Sequence, residues 1–348
     1  MASNQEMDPL TWLSLGLQLA ALCSIVGALL LYLLRKVRVA EVLPVDSAKT
    51  VLVTSVDTAL GLQIATYLSS RGWRVIAGCR SGGLGARLAE SWLQTHAAST
   101  PEDEPPPRLV TLDLDVARED LLEEAARATA QHLPAGEHGI WAVINTAGSS
   151  GRGGAACWES ALRGNVLGAL RVARTFSPLL AAAAADHPHA GRLFYIGLTS
   201  DTACESLARA DGGENGEGSA GAAAARWGTW GAARALRANL RARRLHVVLL
   251  HAPDLSAAEI YAPPMQLQPS TQPESRPDTP SSEVSASTTS CAVTMPGEAA
   301  EYSAKVIPTS ALKVLEEALT APSPRDSYYL KLKHDSWFTR MPSLRVAH

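Results

Sequence analysis

"TVLVTSVDTALG", residues 50–61, runs four apolar or β-branched residues without interruption into a short polar turn, and from there into an apolar helix start that carries a glycine. A strand with no polar alternation must be covered on both faces. A strand that turns within a few residues into a helix is the opening of a β-α-β unit, and Gly61 stands where the backbone would have to approach something closely.

The same rhythm continues on the C-terminal side. "GLQIATYLSSRG" (61–72) reads as a helix stopped by Gly72, "WRVIAGC" (73–79) as a second strand, and 84–95 as a helix. "LVTLDLD" (109–115) is a third strand after the breaker-rich "STPEDEPPPR", and "REDLLEEAARATAQHL" is an amphipathic helix. "GIWAVINTAG" (139–148) gives a fourth strand with its turn, followed by a long helix over 157–184. "GRLFYIGL" (191–198) is a fifth strand, "GAAAARWGTWGAARALRANL" begins a helix at 221, and "LHVVLLHAP" (245–253) is a sixth strand. Alternating continuous apolar strands and helices predict an α/β fold with a doubly wound parallel sheet, the Rossmann architecture.

The flanks read differently. Residues 10–34 are almost wholly apolar, long enough to cross a bilayer, and are followed by Arg35, Lys36 and Arg38, whereas the first nine residues carry Glu6 and Asp8 and no cation. That asymmetry predicts one transmembrane helix with the body on the cytosolic side, the lipid bilayer being the partner of residues 10–34. Residues 1–9 form a tail, 35–48 a connector and 49–253 the dinucleotide-binding domain. Residues 254–304, rich in Pro, Ser and Thr, are expected to be flexible, either as a linker or as a lid that orders on binding. Residues 305–348, with a helix near 309–320 and a strand at 327–332, complete the domain.

A net charge of -3 with mixed signs gives no basic field and excludes nucleic acid as a partner. The five cysteines, Cys23, Cys79, Cys157, Cys204 and Cys291, lack metal-ligand spacing, so no metal is expected, and reduced thiols fit better than disulfides.

Several motifs in order resemble the short-chain dehydrogenase/reductase family. Thr54 and Gly61 match its TGxxxGxG turn, with Ser55 and Ala59 where glycines are usual. Asn145, Ala147 and Gly148 match its NNAG turn, with Thr146 for the second Asn. Asp113 ends the third strand, Asn165 stands at the helix asparagine, and Pro253 follows the sixth strand. "LPVD", "AGC", "GIWAVIN" and "ALTAPSPRDSYYL" are similar to its membrane-bound steroid and retinol dehydrogenase branch. The resemblance implies NAD or NADP as cofactor, weakly held or lost, a steroid or retinoid ligand, a homodimer through long helices, and the endoplasmic reticulum as the membrane. Arg80 at the end of the second strand is either a ligand for the 2′-phosphate of NADP, toward which the reading leans, or a solvated arginine.

The resemblance also locates an absence. Aligned by the following helix and strand, the family's catalytic Tyr and Lys fall on Ala222 and Arg226, and no other register helps. No tyrosine lies between Tyr195 and Tyr261 and no lysine between Lys49 and Lys305. Arg226 can still donate to ribose hydroxyls; Ala222 has no proton to give. The family's serine falls near Thr199, which is either a surviving hydroxyl or a turn former. Ser55 is expected to take a tight bend, and the methyl of Ala59 to intrude on the pyrophosphate path. Three functions follow: a catalytically impaired homologue of the family; an active oxidoreductase with Thr199, His251 or a water as proton donor, though His251 reads more simply as structural; or a non-enzymatic scaffold.

Overall fold

The computed structural model describes residues 9–37, 43, 49–80, 82–99, 106–151, 155–197, 217–252, 255, 257–264 and 306–331. The N-terminal apolar segment is one 29-residue helix, α1 (Pro9–Val37). Its stretch Trp12–Tyr32 is long and apolar enough to cross a membrane and buries nothing against the rest of the chain.

The body alternates strand and helix: β1 (Thr50–Val53), α2 (Ala59–Ser70), β2 (Arg74–Cys79), α3 (Leu84–Ser99), β3 (Arg108–Asp113), α4 (Glu119–Gln131) and β4 (Ala142–Asn145). A composite helix follows, α5 (Ala155–Ala161), a π-helical turn (Leu162–Leu167) and α6 (Gly168–Asp186). Then come β5 (Arg192–Gly197), α7 (Glu217–Leu240), β6 (His246–His251), the single turn α8 (Ala257–Ile260), α9 (Thr309–Thr320) and β7 (Ser327–Tyr329).

The strands form a seven-stranded sheet in the order β3-β2-β1-β4-β5-β6-β7, and every pairing is parallel. Chain order reverses between β1 and β4, and the crevice beyond the carboxyl ends of those strands is where doubly wound sheets bind ligands. The continuous apolar pattern has its reason in two cores. Val51 and Val53 face one layer with Leu60, Ile64 and Leu68 of α2 and Leu315 and Leu319 of α9. Leu52 faces the other, with Leu122 of α4, Val172 and Phe176 of α6 and Ala233 of α7.

α2 stops where Gly72 adopts φ +89° and the Trp73 N–H returns to Leu68 O at 3.1 Å, a closing turn that a Cβ would strain. β7 is shorter than the expected 327–332, although the Leu330 N–H still reaches His251 O at 2.6 Å. At the foot of the sheet Arg192 is fully buried, and its guanidinium donates to the carbonyls of His189, Ala318 and Ala321. Beside it the Trp141 indole N–H donates to Leu319 O at 2.9 Å. Desolvation lowers the Arg192 pKa to about 10, which leaves it cationic at neutral pH.

Within the segment expected to be flexible, Leu255, Ala257 and Ile260 are 3–4% exposed and are buried in the core. The proline-rich composition of the whole stretch conceals a short apolar anchor at its start. Residues 265–305 lie outside the described residues.

Candidate active site

The floor of the crevice is a set of hydrogen bonds between the β1 and β4 turns. Thr54 Oγ1 donates to Asn145 Oδ1 at 2.8 Å and accepts the N–H groups of Thr146 and Ala147 at 3.1 and 3.2 Å. Thr146 Oγ1 accepts the Ser55 N–H at 3.0 Å and donates to Ser55 O at 2.8 Å. Thr146 therefore clamps the neighbouring turn with one hydroxyl. Ser55 is not strained: Arg244 is the single non-glycine with positive φ among the described residues. The turn therefore passes Ser55 without the left-handed backbone that would favour glycine there.

α2 starts against this floor. Thr58 caps it, its hydroxyl accepting the Gly61 N–H at 3.0 Å. A methyl built on Gly61 would lie 1.7 Å from Ser55 O, so the helix enters as close as glycine allows. Ala59 is 7% exposed, and its N–H donates to Ala262 O at 2.8 Å.

At the end of β2, Arg80 is a surface arginine, with 71% of its side chain exposed and its Nε 3.6 Å from Asp57 Oδ2. The same carboxylate oxygen accepts the Arg80 backbone N–H at 2.8 Å, and Asp57 is itself only 9% exposed. Asp113 ends β3 in register with Cys79 and is exposed.

The asparagine site is built on the π-helical turn, a distortion that commonly marks functional positions. Asn165 is 2% exposed; its Oδ1 accepts the Ser149 N–H at 2.7 Å and its Nδ2 donates to Ser149 O at 2.9 Å. The Thr229 hydroxyl lies 2.9 Å from both Asn165 O and Ala225 O, which joins α7 to the π turn. That contact fixes the register of α7, on which Ala222 and Arg226 lie four residues apart, about one helical turn. Arg226 is 8% exposed and its Nη2 donates to Leu255 O at 3.4 Å.

His251, at the end of β6, is buried, and its ring stacks on Tyr329 with centroids 5.0 Å apart. Thr199 and Pro253 lie outside the described residues.

Sequence reasoning missed Tyr261. A methyl built on Gly148 would come 2.4 Å from Tyr261 Cε1 and 2.6 Å from both its Cζ and Asn165 Oδ1, so the ring rests directly on the NNAG-like turn. Burial raises the Tyr261 pKa against an opposing pull from Arg226. As folded, the crevice does not fit a dinucleotide: chain atoms already take the Ala59 N–H and cover Gly148. Among the described residues no cluster of His, Cys, Asp or Glu could hold a metal ion.

Residues 49–197 match the family model for short chain dehydrogenase. Over that stretch the chain is similar to the short-chain dehydrogenase/reductase family. Among its curated relatives are mitochondrial D-beta-hydroxybutyrate dehydrogenase of Bos taurus, 30% identical over 168 residues, covering 44% of this chain and 45% of the relative, and 17-beta-hydroxysteroid dehydrogenase type 2 of Homo sapiens, 34% identical over 147 residues, covering 40% of this chain and 34% of the relative. The aligned stretches are less than half the length of the curated relatives the chain matches. A solved short-chain dehydrogenase from Rhodopseudomonas palustris superposes with a TM-score of 0.45 at 20% identity, over 62% of this chain and 88% of that one. The steroid and retinol dehydrogenase branch of the short-chain dehydrogenases is thus the one this chain resembles. The family match ends at β5, so the placement of Ala222 and Arg226 rests on α7 being the helix between β5 and β6.

Proposed function

We propose that the chain is a membrane-anchored short-chain dehydrogenase/reductase homologue of the steroid and retinoid branch, with oxidoreductase turnover impaired by the loss of its proton-transfer pair. The observation that carries this reading is the residue content of α7. The helix between β5 and β6 contains neither Tyr nor Lys in any register, which supports reading Ala222 and Arg226 as the replacements of the family's pair. An alanine cannot donate a proton to a carbonyl or take one from a hydroxyl. Arg226 is a permanent cation able to hold ribose hydroxyls but unable to stand in for the missing acid. Asn165, whose side-chain amide is tied to Ser149, acts as a clip between α6 and the β4 turn.

The Asp57 carboxylate at the end of β2 favours the ribose diol of NAD over the 2′-phosphate of NADP, against the leaning drawn from Arg80 alone. α1 supplies the bilayer anchor. Arg35, Lys36 and Arg38 after the apolar stretch support a cytosolic body, and the resemblance to the steroid and retinol dehydrogenase branch supports the endoplasmic reticulum as the membrane. Exposed Leu162, Leu167, Leu170 and Trp227 on the α6 and α7 side suit a homodimer.

The test uses the full chain in detergent, assayed with NADH, NAD, NADPH and NADP on hydroxysteroids, retinol and D-β-hydroxybutyrate with their oxidised partners. The expected outcome is no turnover above background, and recovery of activity in the Ala222→Tyr/Arg226→Lys double variant. Wild-type turnover on the order of 1 per second would overturn the reading.

A further inference from the structure

The crevice already has an occupant. Three contacts place Leu255 and residues 257–264 across it from end to end. At the start of α2, the Ala59 N–H donates to Ala262 O at 2.8 Å. Over the β4 turn the Tyr261 ring lies on Gly148 so closely that a methyl there would sit 2.4 Å from Cε1. On α7, Arg226 reaches Leu255 O at 3.4 Å. The segment is seated from below by Leu255, Ala257 and Ile260, each 3–4% exposed. These are the places where a dinucleotide in a doubly wound fold needs a helix N-terminal N–H for its pyrophosphate, bare backbone beside its ribose, and a cation on the catalytic helix.

We propose that residues 255–264 are a built-in occupant of the dinucleotide crevice, so that NAD(H) or NADP(H) binds only by displacing them. Each group in the segment is a neutral stand-in for a part of the cofactor: a carbonyl for a phosphate oxygen, a phenol ring for the ribose and nicotinamide surface. The attachment is reversible in principle, since an anionic pyrophosphate makes stronger charge-assisted bonds to helix N–H groups than a neutral carbonyl does. Apparent affinity is then the intrinsic affinity reduced by the fraction of molecules with the segment lifted. The inference rests on the crevice being a dinucleotide site, not on whether turnover is impaired, and its readouts are binding and exchange, never activity.

The experiment uses the full chain in detergent. NADH and NADPH are titrated by calorimetry into the wild type and into Tyr261→Ala, and hydrogen exchange of the peptides over 59–62 and 255–264 is followed with and without dinucleotide at about 1 mM, roughly a thousandfold above the low end of ordinary micromolar affinities. Removing the ring is expected to tighten binding by about tenfold, the effect of a tenfold larger open fraction. In the wild type, dinucleotide is expected to raise exchange across 255–264 while 59–62 stays protected. Three results would overturn the proposal: wild-type binding with 255–264 still protected, equal affinity in Tyr261→Ala, or a variant whose 255–264 exchanges freely and still binds no dinucleotide. Should Tyr261→Ala fail to fold, wild-type exchange decides alone: unchanged protection of 255–264 at saturating dinucleotide, or no binding at all, sinks it.

Discussion

At the scale of single residues, a few side chains set what the crevice can accept. Asp57 is the sharpest case, because its carboxylate is nearly buried and already accepts the Arg80 N–H, the contact on which the proposed preference for NAD rests. Asp57→Ser is expected to shift the ratio of NADPH to NADH affinity toward NADPH by about tenfold, the equivalent of one removed charge repulsion near 1.4 kcal/mol. Competitive titration of the two cofactors checks it, and an unchanged ratio would remove Asp57 from cofactor choice. This residue stood in plain view in the opening turn, yet its contact with the end of β2 was not legible there. Only the fold brings the end of β2 against it. Thr146 is similar: in the sequence it stood only as a replacement for the motif's second Asn, and in space it is the clamp between two turns.

At the scale of elements, most of the fold was legible and the reason is physical. Strands buried on both faces must be continuously apolar, so β1, β2, β4, β5 and β6 announce themselves, as do α2 and α9. What escaped was α8 and the turn after it. One helical turn has no periodicity to detect, and its anchoring residues are contributed to a core assembled from distant segments. Neighbouring strands also couple charges that are far apart in sequence. His246 opens β6 in register with Arg192 of β5. Burial, then the Arg192 charge, lowers the His246 pKa, partly opposed by Asp326. The folded protein therefore keeps this histidine neutral where the unfolded chain, with an ordinary value near 6.5, takes up a proton. Stability should fall as the pH drops below about 6.5 and level off once the folded-state value is passed. Urea unfolding of the wild type and of His246→Gln between about pH 5 and 8 measures it. The variant should show a shallower acid loss, and identical slopes would reject the coupling.

At the scale of the whole molecule, the body and α1 treat their apolar residues differently. The body hides its apolar residues in two layers about the sheet, whereas α1 shows Leu10, Leu13, Leu17, Leu22, Ile25, Leu29 and Leu31 to its surroundings, each at least 57% exposed. Such a helix is stable in lipid and a liability in water. The full chain is expected to stay in the membrane pellet through alkaline carbonate extraction, and a chain beginning after residue 37 to lose that resistance. Release of the full chain by carbonate would show that α1 does not span.

The buried guanidinium of Arg192 carries one more consequence. It sits at the end of the stretch that the family model matches, yet the carbonyls that satisfy it at Ala318 and Ala321 lie far beyond that stretch. A fragment cut at the boundary of family similarity would expose the core to a cation stripped of its acceptors, a loss of several kcal/mol by the general cost of an uncompensated buried charge. The smallest piece of this protein able to fold must therefore keep α9, and the frontier of ancestry in its sequence is not a seam along which the molecule can be divided.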